Sequence, residues 1–276
     1  AISGGWVLTE EDFLPSGDLL NRLKLRTSYG ITGNAGIGNF PARGLWGASS
    51  YAGASGISPI QTPNPALQWE QTREVTVGLD YDLLGNRVSG SIDYYRKTTN
   101  DLLLDLNVPA TTGFLAQTRN VGEVKNNGLE FLLETRNLTG DFSWSSNFNI
   151  SFNRNEVTDI RGQVLTGGYI NQAREGEPLG VYYALEYAGV DPENGDALYY
   201  INEQDENGNI INPDATTNDP NAANRTVLGN PQPDFTGGFG NTFAYGGVQL
   251  RVLFSFSYGN KLYDGGGVFK TANGRF

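Results

Sequence analysis

The sequence predicts an all-β fold, part of a large antiparallel transmembrane β-barrel, and three observations predict it. Segments of about ten residues alternate apolar and polar side chains. Short and long connections alternate between those segments. Aromatic residues sit close to the short connections. Period-two alternation gives a strand two chemically different faces. Tight turns at one end of a meander and long loops at the other are the habit of membrane barrels.

The strands follow in chain order. In 22–31, Leu23, Leu25, Tyr29 and Ile31 alternate with Arg22, Lys24, Arg26 and Ser28. In 73–83, Val75, Val77, Leu79, Tyr81 and Leu83 alternate with Glu74, Thr76, Gly78, Asp80 and Asp82. Segments 86–98 and 127–137 alternate with more noise. In 141–153, Phe142, Trp144, Phe148, Ile150 and Phe152 oppose a side made almost wholly of Ser, Asn and Asp. Segment 234–246 sets Phe235, Phe239, Phe243 and Tyr245 against small and polar residues. Segment 248–259, "VQLRVLFSFSYG", closes the series with Leu253 as its one exception. That makes about seven strong strands. Only 10–21, "EEDFLPSGDLLN", offers a helical turn.

Three connections are tight: "LLGNR" (83–87), "NLTGD" (137–141) and "YGGV" (245–248). Each carries the Gly that a hairpin with positive φ requires. The long connections are 32–72, 99–126 and 155–233. In a meander, all three tight turns fall at one end, on the periplasmic side of a barrel, and the long loops are extracellular. Tyr81, Trp144 and Tyr245 then stand at one height, as an interfacial girdle does.

An apolar strand face covers either a protein core or lipid. A soluble β-sandwich would carry Lys, Glu and Thr on its solvated side and would not segregate its loops by length. Small polar residues suit a crowded, wet interior. The reading therefore places Val77, Leu79, Phe148, Ile150, Val252, Phe254 and Phe256 toward lipid. It places Asp80, Asp82, Ser143, Ser145, Asn147, Asn149, Arg251, Ser255 and Ser257 toward a lumen. Closed bacterial barrels take an even number of at least eight strands, so about seven strands suggest a portion of a longer protein.

Composition narrows the chemistry. Among 276 residues there is no Cys, His or Met, which removes Cys–His and Ser–His–Asp catalysis and most zinc or copper sites. A net charge of -11 supplies no basic stripe for nucleic acid. No apolar run reaches the roughly 18 residues of a spanning helix, and no N-terminal signal segment is evident. "GGFGN" and "GNAGIGN" lack the G-x-G-x-x-G that follows a buried parallel strand. The paired acids show nothing that would raise a catalytic carboxyl's pKa, so no catalytic residue is assigned.

Candidate contacts lie in or near the long loops: Trp46, Tyr51, Trp69, Tyr169, Tyr182, Tyr183 and Tyr187. Such rings stack on sugars, or they pack loop against loop or against a partner. "DPENGD" and "NEQDENGN" collect oxygen ligands, with Asp191, Asn194 and Asp196 as weak Ca²⁺ candidates. Neither matches the twelve-residue EF-hand loop, and most such clusters are Asx turns in solvated loops.

These stretches also resemble one family, the SusC/RagA type of TonB-dependent outer-membrane transporter of Bacteroidetes-like bacteria. "LNRLKLRTSYGITGNAGIGNF" is similar to its S-Y-G-x-T-G-N strand, and "NPALQWEQTREVTVGLDYDLLGNRVSGSIDYY" to its N-P-x-L-x-W-E hairpin. "NVGEVKNNGLEFLLETRN", "GEPLGVYYALEYAGVDPENGDALYY" and "LGNPQPDFTGGFGNTFAYGGVQLRVLFSFSYGN" resemble later blocks in the same order. The resemblance implies a barrel of about 22 strands with an N-terminal plug, a TonB-contacting segment and a SusD-like surface lipoprotein as lid. It implies active import of oligosaccharides or peptides. On this reading residues 1–276 are the middle-to-late part of one barrel domain, without plug, TonB box or final strands. The alternatives are a barrel subunit of a structural or secretion-associated complex, and a soluble β-rich adhesin.

Overall fold

The computed structural model describes residues 1–206 and 208–267, and of Tyr51 the backbone alone. In chain order the strands are β1 (Ile2–Val7), β2 (Leu20–Asn34), β3 (Leu45–Tyr51), β4 (Ala54–Gln61), β5 (Glu70–Leu83), β6 (Val88–Asn100), β7 (Leu103–Asn107), β8 (Ala116–Asn120), β9 (Glu123–Leu138) and β10 (Phe142–Asp159). There follow β11 (Leu165–Thr166), β12 (Asn171–Ala173), β13 (Val181–Ala184), β14 (Tyr187–Val190), β15 (Ala197–Tyr200), β16 (Thr216–Thr217), β17 (Thr226–Gly229), β18 (Phe235–Tyr245) and β19 (Val248–Tyr258).

The chain forms two compact units. The first, Ala1–Gln163 with Phe235–Phe256, holds an eight-stranded sheet in the order β1-β2-β5-β6-β9-β10-β18-β19. The pairs from β1–β2 through β10–β18 are antiparallel. It is a meander whose spanning strands pair in sequence order. The sheet is open, since β1 and β19 each have one neighbour within it.

Turn chemistry sets the register at one end. Gly246 and Gly247 join β18 to β19 with φ of 53° and 83°, the pair of left-handed residues that a two-residue hairpin needs. Leu84, Gly85 and Asn86 between β5 and β6 also have positive φ. The segment between β1 and β2 lies at this same end, where the Leu84 N–H donates to the Leu19 carbonyl at 3.0 Å. The helical turn expected within 10–21 forms slightly earlier, as a 3-10 turn at Leu8–Glu10.

The long connections leave from the other end, and they carry strands of their own. Residues 35–69 hold the hairpin β3–β4, and 101–122 hold β7–β8. These two loops dock on each other. Asn64 donates to the Thr118 carbonyl at 2.8 Å, and Gln117 to that of Pro63 at 2.9 Å. Asn120 takes the Gln68 N–H and gives to the Gln68 carbonyl, both at 2.7 Å. The second unit, Val164–Asp234 and Ser257–Phe276, contains a four-stranded sheet β11-β12-β13-β17 and a three-stranded sheet β14-β15-β16.

The main sheet has eight strands rather than about seven. The extra one is β1, "ISGGWV". Its two glycines dilute the alternation, leaving Ile2 and Trp6 on one face and Val7 on the other as apolar signals. Its pairing on β2, Trp6 opposite Leu25 and Ile2 opposite Tyr29, nonetheless places both on the apolar side.

Residues directly opposite each other across a sheet share a face, so the registers carry one face from strand to strand. Val77, Tyr94, Leu129 and Phe152 form one row, and Leu79, Ile92, Phe131 and Ile150 the next. The buried apolar residues among those described are Leu106, Val124, Val157, Ile160, Ala173 and Val181. None belongs to the apolar face of the eight-stranded sheet. Phe254 is 60% exposed and Leu250 59%. A soluble sandwich would bury that face under a second sheet; here protein leaves it open.

Candidate functional site

The polar face of the eight-stranded sheet is the surface where the expected residues converge. Asp80 and Asp82 lie on it, as do Ser143, Ser145, Asn147 and Asn149, whose partners are Ala244, Thr242, Gly240 and Gly238. Phe256 stacks on Phe148 with centroids 6.3 Å apart, which sets the even-numbered residues of β19 on the apolar face. Alternation then puts Arg251, Ser255 and Ser257 on the polar one. Leu253 stays the exception, apolar and 70% exposed on the polar side; nothing in the structure explains it.

The polar side chains tie the strands together laterally. The Arg26 guanidinium on β2 donates to both oxygens of Asp80 on β5, at 2.7–2.9 Å, and to Asp93 on β6 at 2.9 Å. It reaches across Gly78, which pairs with Arg26 on one side and Asp93 on the other. A Cβ at Gly78 would collide with the Asp93 carboxylate, so the glycine is what admits this bridge. Arg22 pairs with Asp82 at 2.9 Å and Lys97 with Glu74 at 3.5 Å. Further on, Tyr95 donates to Asn153 at 3.1 Å and Asn155 to Asn126 at 2.9 Å. Toward the tight turns, Glu134, Arg136, Ser145, Asn147 and Arg251 line an open concavity of about 590 Å³.

Arg26→Gln is expected to lower stability by about 1 kcal/mol, because Asp80 and Asp93 lose their shared counter-charge in a partly solvated setting. A double-mutant cycle with Asp80→Asn, read by denaturant titration, should give a coupling of similar size. Additive effects would mean that the bridge contributes nothing.

The apolar face is chemically plain by contrast. From its turn end to Ile31, Val75, Tyr94, Leu129, Phe152 and Phe235 it carries no charged residue in any spanning strand. Its few polar groups close on one another. Asn241 accepts from Trp144 Nε1 at 2.9 Å and from Ser146 at 2.7 Å, and Ser146 accepts from Asn137 at 2.7 Å. An aromatic cluster of Phe131, Phe148, Phe152, Phe235 and Phe256, with neighbouring centroids 5.8–6.3 Å apart, crosses four strands. Tyr81, Trp144 and Tyr245 all lie on this face near the tight turns.

Trp46 stands exposed on β3. The Trp69 indole lies against Gly33, 3.4 Å from where a Cβ would stand. Tyr169 and Tyr182 each approach Tyr263, with centroids 6.2 and 6.4 Å apart. Tyr183 lies under the Arg174 guanidinium at 4.1 Å, and Tyr187 meets Tyr199 edge-on. The Tyr51 side chain lies outside the described residues. Sequence reasoning missed Tyr263, which follows the last strand and is far along the chain from Tyr169 and Tyr182, the two tyrosines it meets.

Asp191 and Asn194 cap their own turn between β14 and β15, accepting the N–H groups of Glu193 and Asp196 at 2.9 and 2.8 Å. Asp196 also accepts from Asn218 at 3.3 Å. No group of three or more His, Cys, Asp or Glu side chains that could hold a metal ion occurs among the described residues. Asn207, in the second acidic stretch, lies outside them.

A family model described as "TonB dependent receptor-like, beta-barrel" matches residues 3–274. The chain is 35% identical to TonB-dependent receptor P39 of Formosa agariphila over 95% of its own length and 29% of the relative's. It is 37% identical to TonB-dependent receptor SusC of Bacteroides thetaiotaomicron over 57% of its length and 17% of that protein. Among solved structures it is similar to the RagAB peptide transporter, with a TM-score of 0.80 and 30% identity over 93% of this chain and 29% of that one. The "open-open" state of the RagAB peptide importer gives a TM-score of 0.83 at 30% identity, covering 94% and 28%. The chain thus spans less than a third of the length of the relatives it matches.

Proposed function

Because the chain belongs to the TonB-dependent receptor-like β-barrel family, we propose that it forms part of the wall of an outer-membrane importer driven through TonB. The chain is part of an outer-membrane β-barrel of the SusC/RagA type. In the proposal the apolar face meets lipid and the polar face lines the wet lumen. The long loops face outward toward substrate and a SusD-like lipoprotein lid. The observation that carries this is the pairing of a charge-free apolar face with a charged, hydrogen-bonded polar face on one continuous meander. Water is absent from the hydrocarbon region, so closed strands with an uncharged outer face are how a β protein crosses it.

The substrate class we favour is an oligosaccharide, supported by the neighbouring rings of Tyr169, Tyr182 and Tyr263, the first and last exposed and Tyr182 half-buried, which suit sugar stacking. Peptide import is the second reading, supported by the likeness to the RagAB peptide transporter. Deleting the full-length gene is expected to abolish uptake of one labelled oligomer class, and TonB loss should do the same. If glycan and peptide uptake both survive deletion, the importer reading falls and a structural or secretion-associated role takes its place. Replacing Tyr169 and Tyr182 by Ala should weaken glycan capture about tenfold, taking roughly 0.5–1.5 kcal/mol per ring contact. Undiminished glycan binding would remove these rings from the site.

A further inference from the structure

The polar face of the eight-stranded sheet is two surfaces of different chemistry. From β2 to β9 it is charged, with Arg22, Arg26, Asp80, Asp93, Glu130 and Glu134 among its residues. From β10 onward it is nearly neutral. On β10 the residues of this face from Ser143 to Asn155 are only Ser and Asn. On β18 those from Thr236 to Ala244 are only Thr, Gly and Ala. Arg251 on β19 is the one charge beside them.

The two surfaces also differ in how much of their bonding capacity the fold uses. On the charged side Arg22, Arg26 and Lys97 are each paired with a carboxylate of a neighbouring strand. On the neutral side Ser143, Ser145, Asn147, Asn149, Thr236 and Thr242 make no side-chain hydrogen bond with any described residue. Every one of these groups can both donate and accept. Asn147 and Asn149 stand opposite Gly240 and Gly238, both buried. A Cβ at Gly240 would collide with the Asn147 amide, so that amide lies over the glycine and the two strands form a low shelf. Carboxylates border the shelf on β9. Glu134 stands opposite Asn147 and Glu130 opposite Ser151, and neither forms an ion pair with a described residue. Glu134, Ser145, Asn147, Thr242 and the exposed Leu253 line the same concavity of about 590 Å³.

We propose that the β10–β18 shelf is the lane along which a neutral oligosaccharide crosses the lumen, and that Asn147, Asn149, Glu130 and Glu134 set a preference for neutral over acidic sugars. The inference rests on the proposed importer reading and deepens it. Sugar hydroxyls donate and accept, so unpaired hydroxyl and amide groups meet them in either sense. A few convergent polar groups on an otherwise plain surface fix a ligand's orientation, and Leu253 offers an apolar surface to the C–H face of a sugar ring. A carboxylated sugar finds no counter-charge on the shelf and meets Glu130 and Glu134 at its border. Clefts bordered by one sign of charge exclude ligands of that sign.

The test measures uptake by cells that express the full-length receptor. The probes are labelled hexasaccharides of glucose, mannose and galactose, and the same sugars oxidised to carboxylates at their primary hydroxyls. The natural receptor is expected to import one neutral series and to disfavour its acidic form about twentyfold, roughly fivefold for each bordering carboxylate. E130Q/E134Q should bring that ratio close to one. N147D/N149D, which keeps the shape of the shelf, should widen it by a similar factor. S28D adds a carboxylate on the charged side of the lumen and should leave the ratio as it is. Heat-modifiable electrophoretic mobility reports that each variant is folded; if N147D/N149D is not, E130Q/E134Q carries the reading. Equal import of both forms by the natural receptor, an unchanged ratio in folded E130Q/E134Q, or an equal widening in S28D overturns the lane. So does an N147C receptor that a small water-soluble thiol reagent fails to label, since protein then covers the shelf. In each of these cases import of the hexasaccharides leaves the importer reading standing. A natural receptor that takes up none of the probes in either form loses the oligosaccharide reading and the lane together.

Discussion

Phe254→Arg is expected to destabilise the folded barrel by about 2–4 kcal/mol, and Ser255→Arg by far less. The two residues are neighbours on β19, seventh and eighth of eleven in the strand, so depth in the membrane hardly differs between them. What differs is the face. Phe254 stands with Phe256, whose ring packs on Phe148 and Phe235. Ser255 stands with Arg251, beside the polar concavity. A guanidinium at mid-depth in hydrocarbon must thin the bilayer or carry water with it; one on the lumen side stays hydrated. The measurement is a denaturant titration of full-length protein folding into phospholipid vesicles. Equal costs at 254 and 255 would contradict the assignment of faces, and a larger cost at 255 would reverse it.

Gly237→Val should cost about 1–3 kcal/mol, while Gly238→Ala should be close to neutral. Gly237 lies on the apolar face opposite Ile150. A Cβ there would run into the Asn149 carbonyl and the Phe256 ring. The carbonyl belongs to the ladder and cannot turn aside, so the strand must shift and Phe256 must leave its contacts with Phe148 and Phe235. Gly238, one residue on, faces the polar side, where the nearest atoms to an added Cβ stand at 3.5 Å, an ordinary contact. The same vesicle titration reads both. Similar costs at the two positions would mean that general strand flexibility, and not the covering ring, explains the glycine.

The glycines of this sheet show how far pattern reading reaches. In the sequence Gly78, Gly128 and Gly237 look like gaps in an alternating strand. In the structure each is roofed by a cross-strand neighbour: Gly78 by Arg26 and Asp93, Gly128 by Tyr95, Gly237 by Phe256. The sequence marks the missing side chain but not the one that fills its place, because the filler sits on another strand. The strand β1 escaped notice for a related reason. Its glycines leave too few side chains to alternate, and only its hydrogen bonds to β2 reveal it.

The loop residues were least legible. Trp46, Trp69, Tyr169, Tyr182, Tyr183 and Tyr187 share a composition and a general region, which suggested one contact surface. Tyr169 and Tyr182 both meet Tyr263, which lay outside the set. Aromatic residues in loops have no period to follow, so proximity along the chain says little about proximity in space.

By itself the sequence determined the two faces of every spanning strand except β1, the tight turns, the segregation of long connections and the family. All of these are written in local periodicity, where the alternation of side chains about a strand is a property of the backbone. The tertiary structure decided which side chains meet. It set Arg26 across Gly78 onto Asp93 and folded the long connections into hairpins and small sheets. Those outcomes depend on register between strands distant in sequence, which hydrogen-bond ladders fix and composition cannot encode.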